Sequence, residues 1–72
     1  MTWHQAAPFD SSNIADFRYE DASQTLEVTF LNGNTYQYFD VPFNVWVAFD
    51  GADSKGKFLN AIIKGSYRYS RV

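Results

Sequence analysis

The stretch Gly51-Ala52-Asp53-Ser54-Lys55-Gly56-Lys57 has the spacing G-x-x-x-x-G-K of a phosphate-binding loop. Nucleotide hydrolysis by such a loop needs a Ser or Thr next, to hold magnesium, and a buried strand before it. Here the next residue is Phe58 and the preceding segment reads as a helix. Nor do 72 residues leave room for a nucleotide-hydrolase sheet. The motif is not read as an NTPase site. What survives is an anion-binding reading of a helix start flanked by Lys55 and Lys57. Against it stands a plainer one: Ser54 caps the helix, Gly56 permits close packing, and the lysines are solvated.

Other chemistry is scarcer. The chain has no cysteine, hence no thiol nucleophile, disulfide or cysteine-based zinc site. Its one histidine, His4, falls in a segment without clear periodicity, where no carboxylate is placed to orient it. General acid–base catalysis requires such positioning. Asp50 and Asp53 can share a helix end, where capping and solubility are the simpler roles. No catalytic residue, metal site or cofactor is assigned, and the chain is read as non-enzymatic.

Charge is more informative. The formal net charge is −2, yet all eight acids and a single base precede residue 54, giving −7 there. Residues 54–72 carry Lys55, Lys57, Lys64, Arg68 and Arg71 with no acid, giving +5. Interleaved with Tyr67 and Tyr69, this segment has the residue types that contact phosphates and stack on bases. The competing reading folds the basic end over the acidic body. A pI near 5.0 lies far below that of a dedicated nucleic-acid domain.

These groups need a scaffold. A chain this short forms one small domain and must bury large side chains to offset the entropy of ordering. Seven Phe, five Tyr and two Trp are read first as core. Residues 1–10 read as an arm, with Pro8 breaking any helix and Trp3 and Phe9 able to pin it to the body. A first strand is expected over Ile14 to Tyr19, a turn over residues 20–24, and a clean alternation makes Thr25 to Phe30 the second strand. Asn32-Gly33 marks a hairpin into a third strand, Thr35 to Phe39. A three-residue loop with Gly33 left-handed pairs Val28 with Tyr36 and Leu26 with Tyr38, collecting the apolar side chains on one face. Pro42 suits the start of a helix over Phe43 to Asp50. That helix has little polar face, so it is either well buried or available to another chain. A second helix, Ser54 to Lys64, presents Phe58, Leu59, Ile62 and Ile63, and Gly65 ends it. Tyr67-Arg68-Tyr69 fits either a short strand or an extended tail. The expected class is α+β: a three-stranded antiparallel meander followed by two short helices on one face. No apolar run approaches the ~20 residues of a membrane span, and the N-terminus lacks a secretory pattern. A soluble, cytoplasmic protein is expected.

Together, Ser11-Ser12-x-Ile14, Tyr19, Leu26-x-Val28-x-Phe30, Gly33-x-x-Tyr36-x-Tyr38-x-x-Val41-Pro42, Ala52-x-Ser54-x-Gly56-x-Phe58-x-Asn60-x-x-Ile63 and Tyr67 resemble the KTSC domain. The family is named for the C-terminus of some lysyl-tRNA synthetases and also occurs as single-domain bacterial and phage-type proteins. The resemblance runs from about Ser11 to the end and leaves residues 1–10 outside it. It implies no catalytic residues, and RNA as a suggested ligand. Tyr36, Tyr38, Gly33, Pro42, Ser54, Gly56 and Phe58 make structural sense without any ligand. Asn60, beside the apolar stripe, is expected to bond the loop after its helix. The leading expectation is a binding module contacting RNA or another polyanion through Lys55, Lys57, Lys64, Arg68, Arg71, Tyr67 and Tyr69. The alternative is a protein-interaction or self-association module, resting on the nearly all-apolar Phe43–Phe49 helix and on Phe39, expected to be exposed on the third strand.

Overall fold

Alternating apolar residues build one antiparallel sheet, and the chain uses more of itself for this than the alternation alone suggests. In the computed structural model, which describes residues 2–72, the strands are β1 (Trp3–Gln5), β2 (Ile14–Glu20), β3 (Thr25–Phe30), β4 (Thr35–Tyr38) and β5 (Tyr69–Arg71). Their order in the sheet is β1-β2-β3-β4-β5. Between β4 and β5 lie α1 (Phe43–Asp50) and α2 (Lys55–Phe58), the latter running on into a π-helical turn, Leu59–Ile63. The class is α+β as expected, but the sheet has five strands: the three expected, the short C-terminal strand left open as an option, and β1, which was not expected.

β1 comes from a segment without periodicity, and β5 from the end of the alternating Tyr67-Arg68-Tyr69 stretch. Within the expected arm, Trp3, His4 and Gln5 pair with Glu20, Tyr19 and Arg18. The Arg18 guanidinium lies 3.9 Å from the centre of the Trp3 ring, a cation–π contact that holds the edge strand. The Glu20 carboxylate is buried and accepts hydrogen bonds from the backbone N–H groups of Thr2, Ala22 and Ser23 and from the Ser23 hydroxyl. It ties β1 to the β2–β3 turn. At the other edge, Tyr36, Gln37 and Tyr38 pair with Arg71, Ser70 and Tyr69.

The hairpin adopts the three-residue loop. Phe30 N–H donates to Asn34 O, Gly33 has φ +93°, and Val28 faces Tyr36 while Leu26 faces Tyr38. In β2 the register slips between Ile14 and Asp16. That bulge brings Ile14 onto the face of Phe17 and Tyr19, which simple alternation denies it.

α1 is capped by Pro42, whose carbonyl accepts from Val45 and Trp46 N–H. It lays Trp46 and Phe49 on β2: the Tyr19 and Trp46 rings stack 5.7 Å apart, and those of Phe17 and Phe49 4.1 Å apart. The Tyr19 hydroxyl donates to Val41 O at 2.6 Å. Ser54 caps α2 through Lys57 N–H. The expected single helix over Ser54 to Lys64 instead widens after Phe58. Lys64 N–H donates to Leu59 O, five residues back, which buries Leu59 and Ile63 and leaves Ile62 exposed, so the expected stripe loses one member. Gly65 then turns the chain with φ +85°.

Candidate functional site

α1 and the π-helical turn cover the core face over β2 and β3, and the β4–β5 end of that face remains open. The result is a groove of about 560 Å³, lined by Phe30, Asn32, Asn34, Tyr36, Tyr38, Lys64, Gly65 and Tyr69. Its size is that of a small-ligand cleft, typically ~300–1,000 Å³. Tyr38 forms the buried floor, Tyr36 is half-buried, and Tyr69 is 62% exposed. The Tyr69 ring stands 5.9 Å from those of both Tyr36 and Tyr38, and Phe30 meets Tyr36 edge-on at 5.7 Å.

The positive charge comes from two elements. The π-helical turn ends by presenting Lys64, whose ammonium lies 5.5 Å from the centre of the Phe30 ring. Arg71 pairs with Tyr36 across the β4–β5 ladder, so its side chain leaves the sheet on the groove side, two residues beyond Tyr69. Neither cation has a carboxylate partner among the described residues. Among the described residues no acid lines the groove, although acids outnumber Lys and Arg eight to six in the chain. Burial, with the charges of Tyr36 and Tyr69 adding, raises the Tyr38 pKa. Its phenol is therefore a neutral hydrogen-bond donor at pH 7 and not a base.

The residues expected to bind divide. Lys64 and Tyr69 line the groove and Arg71 flanks it. Tyr67 is half-buried against the core and absent from the lining. Arg68 leaves the sheet on the other side, bonds Asp40 at 2.8 Å and lies over Phe39. It is the one base of the C-terminal segment paired with an acid among the described residues: the basic end does pack on the acidic part, through β4, but with a single ion pair. Phe39, expected to be exposed on the third strand, is half-buried and follows the end of β4. Lys55 turns back to donate to Ala52 O, and neither it nor Lys57 lines the groove. The anion reading of the α2 start thus loses one of its two lysines.

Several positions assigned to structure behave so. Gly56 lies so close to Asn13 that a Cβ there would meet Asn13 Oδ1 at 2.9 Å. Phe58 stacks on Phe49 at 5.4 Å. Asn60 does not make the expected bond: it is exposed, and its side chain has no hydrogen-bond partner among the described residues. Tyr36 and Tyr38 do more than fill the interface, since both also face the groove.

His4 corrects another expectation. Its Nε2 lies 2.5 Å from Asp21 Oδ2, so a carboxylate does orient it. The ring packs near Tyr19, Phe43 and Trp46. These neighbours anchor β1.

Sequence reasoning missed Phe30, Asn32 and Asn34 as groove residues. The signal was present in the chosen hairpin register, which places all three at the end of the sheet where Tyr36 emerges.

Comparison with known proteins places these features in a family. The KTSC domain model matches residues 10–67. Lysine–tRNA ligases of Trichormus variabilis and Nostoc punctiforme are each 40% identical over 63 residues, which is 88% of this chain but 11% of either ligase. An uncharacterized protein of Stutzerimonas stutzeri is 40% identical over 86% of this chain and 89% of its own. A crystal structure of a KTSC domain protein from Yersinia pestis superposes with a TM-score of 0.87 at 33% identity, over 99% of both chains.

Proposed function

The chain belongs to the KTSC domain family, and on that footing we propose that it is a non-catalytic binding module whose β4–β5 groove holds single-stranded RNA. The observation that carries this reading is the meeting of Tyr36, Tyr38 and Tyr69 with Lys64 in one acid-free groove. Aromatic faces stack on bases whatever their identity, and cations beside them take the backbone phosphates. RNA is favoured among polyanions because a segment resembling this chain forms part of lysine–tRNA ligases, whose name makes an RNA their substrate. The absence of acid from the groove lining favours an anionic ligand there.

The reading is tested by fluorescence anisotropy with a short labelled single-stranded RNA at two salt concentrations. With Lys64 and Arg71 each neutralising one phosphate, log K should fall with log salt at a slope of about −1.4. No binding at low salt contradicts it.

One observation favours a second reading, a protein-interaction surface. On α1, Phe43 and Val47 are 48% and 51% exposed, outside the groove. Paired apolar side chains of this kind are a common component of partner contacts. Concentration-dependent sedimentation that Val47→Asp abolishes would support it, and a monomer at all concentrations would count against self-association.

A further inference from the structure

A second, shallower and more open depression, of about 400 Å³ and lined mostly by exposed residues, adjoins the groove. It is lined by Ser12, Asn13 and Leu31, together with Phe30, Asn32 and Lys64, which also line the groove. Lys64, held over Phe30, therefore stands where the groove and the depression meet.

The two offer different chemistry. The groove presents aromatic faces. In the depression, Asn13 Oδ1 accepts from the Ser11 hydroxyl at 3.1 Å, and Asn32 Oδ1 accepts from Asn34 N–H at 3.0 Å. With both amide oxygens engaged, the two side chains have N–H groups left to donate. Among the described residues neither is lined by an acid. A ligand that follows the path must bring a planar ring, then a negative charge, then hydrogen-bond acceptors.

Resting on the RNA reading above, we infer that the site takes two successive nucleotides. One base stacks on the exposed face of Tyr69, beside Tyr36, the linking phosphate sits on Lys64, and the carbonyl oxygens of the next base accept from Asn13 and Asn32. Each part has a matching partner on the path: stacking is tolerant of base identity, and a charge-assisted contact fixes the phosphate between the two bases.

Amide chemical shifts of the full chain, titrated with uridine 5′-monophosphate and with the dinucleotide uridylyl-uridine, test this. Uracil suits the probe because it presents two carbonyl acceptors to two amide donors. The dinucleotide should bind about tenfold more tightly than the monophosphate, near the low end of what one added base contact contributes. It should move the amides of Tyr36 and Tyr69 and those of Asn13 and Asn32 together. An uncharged methylphosphonate linkage, or Lys64→Gln in a variant whose melting temperature is unchanged, should weaken binding of the dinucleotide. Equal affinity for the two probes, shifts confined to the groove or to the depression, or indifference to the linkage charge each overturns the two-nucleotide path. Octauridylate separates the two claims. If it binds while the dinucleotide shows no advantage, only the path falls; if it fails to bind at low salt, the RNA reading falls with it.

Discussion

Tyr69 stands 5.9 Å from Tyr36, ring centre to ring centre, although both helices separate them in sequence. β5 holds it there, because antiparallel pairing with β4 sets Tyr69 opposite Tyr38 and Arg71 opposite Tyr36. The groove therefore exists only when β5 closes the sheet. As Tyr69 is 62% exposed, its loss should cost less than about 1 kcal/mol of stability. Tyr69→Ala should nevertheless weaken RNA binding about 5- to 150-fold, the equivalent of ~1–3 kcal/mol of base stacking. Anisotropy and thermal melting of the same variant separate the two effects, and unchanged affinity would remove Tyr69 from the site.

The Tyr19 hydroxyl makes the opposite prediction. It is buried and donates to Val41 O, so Tyr19→Phe leaves a buried carbonyl one donor short. The cost should be about 1–3 kcal/mol, with the melting temperature falling ~4–8 °C for each of them. RNA affinity below the transition should not change. Urea titration gives the first value and anisotropy the second. A variant as stable as the parent would show that the bond contributes nothing net.

Gly33 tests the hairpin. With φ +93° and nothing within 4 Å of an added Cβ, substitution there meets backbone strain alone. Gly33→Ala should cost about 1–2 kcal/mol, and Gly33→Asn less, because Asn tolerates left-handed conformations. Equal losses by urea denaturation would point to a contact in place of strain.

Acid stability follows from two carboxylates. Hydrogen bonds from the Ser23 hydroxyl and then Ala22 N–H hold the Glu20 pKa below its ordinary 4.5, outweighing burial. For Glu27, burial is the largest influence and acts upward, but the Arg18 and Gln37 hydrogen bonds and the Arg18 charge together bring the net shift downward. A carboxyl whose pKa is lower in the folded state stabilises it above the unfolded value and loses that contribution as pH falls through the folded one. Urea stability should hold from about pH 7 to about pH 5 and decline below about 4.5. Glu20→Gln should be less stable at neutral pH and shallower in its acid decline. An acid slope equal to the parent's would show that Glu20 is not part of the linkage.

Local signals made the centre of the fold legible and its margins obscure. Asn32-Gly33 and the run Leu26, Val28, Phe30 settle the hairpin register, because only the bulged loop puts every apolar side chain on one face. Pro42 and the short helical spacings after it mark α1. β1 carries no such signal: Trp3-His4-Gln5 is held by partners elsewhere, namely Arg18 under Trp3 and Asp21 beside His4. The widening after Phe58 is equally silent, since periodicity arguments assume 3.6 residues per turn. The basic segment was visible as a charge asymmetry, but its division was not. Lys64 and Tyr69 enter the groove only through the π-helical turn and β5, while Arg68 points away because strand side chains alternate.

The central claim is that the β4–β5 groove binds single-stranded RNA, and mapping amide chemical shifts on addition of a short single-stranded RNA tests it most directly. The account predicts shifts clustered at Phe30, Asn34, Tyr36, Lys64, Gly65 and Tyr69 that diminish as salt rises. No shifts at low salt, or shifts confined to the Phe43 and Val47 face of α1, would contradict it.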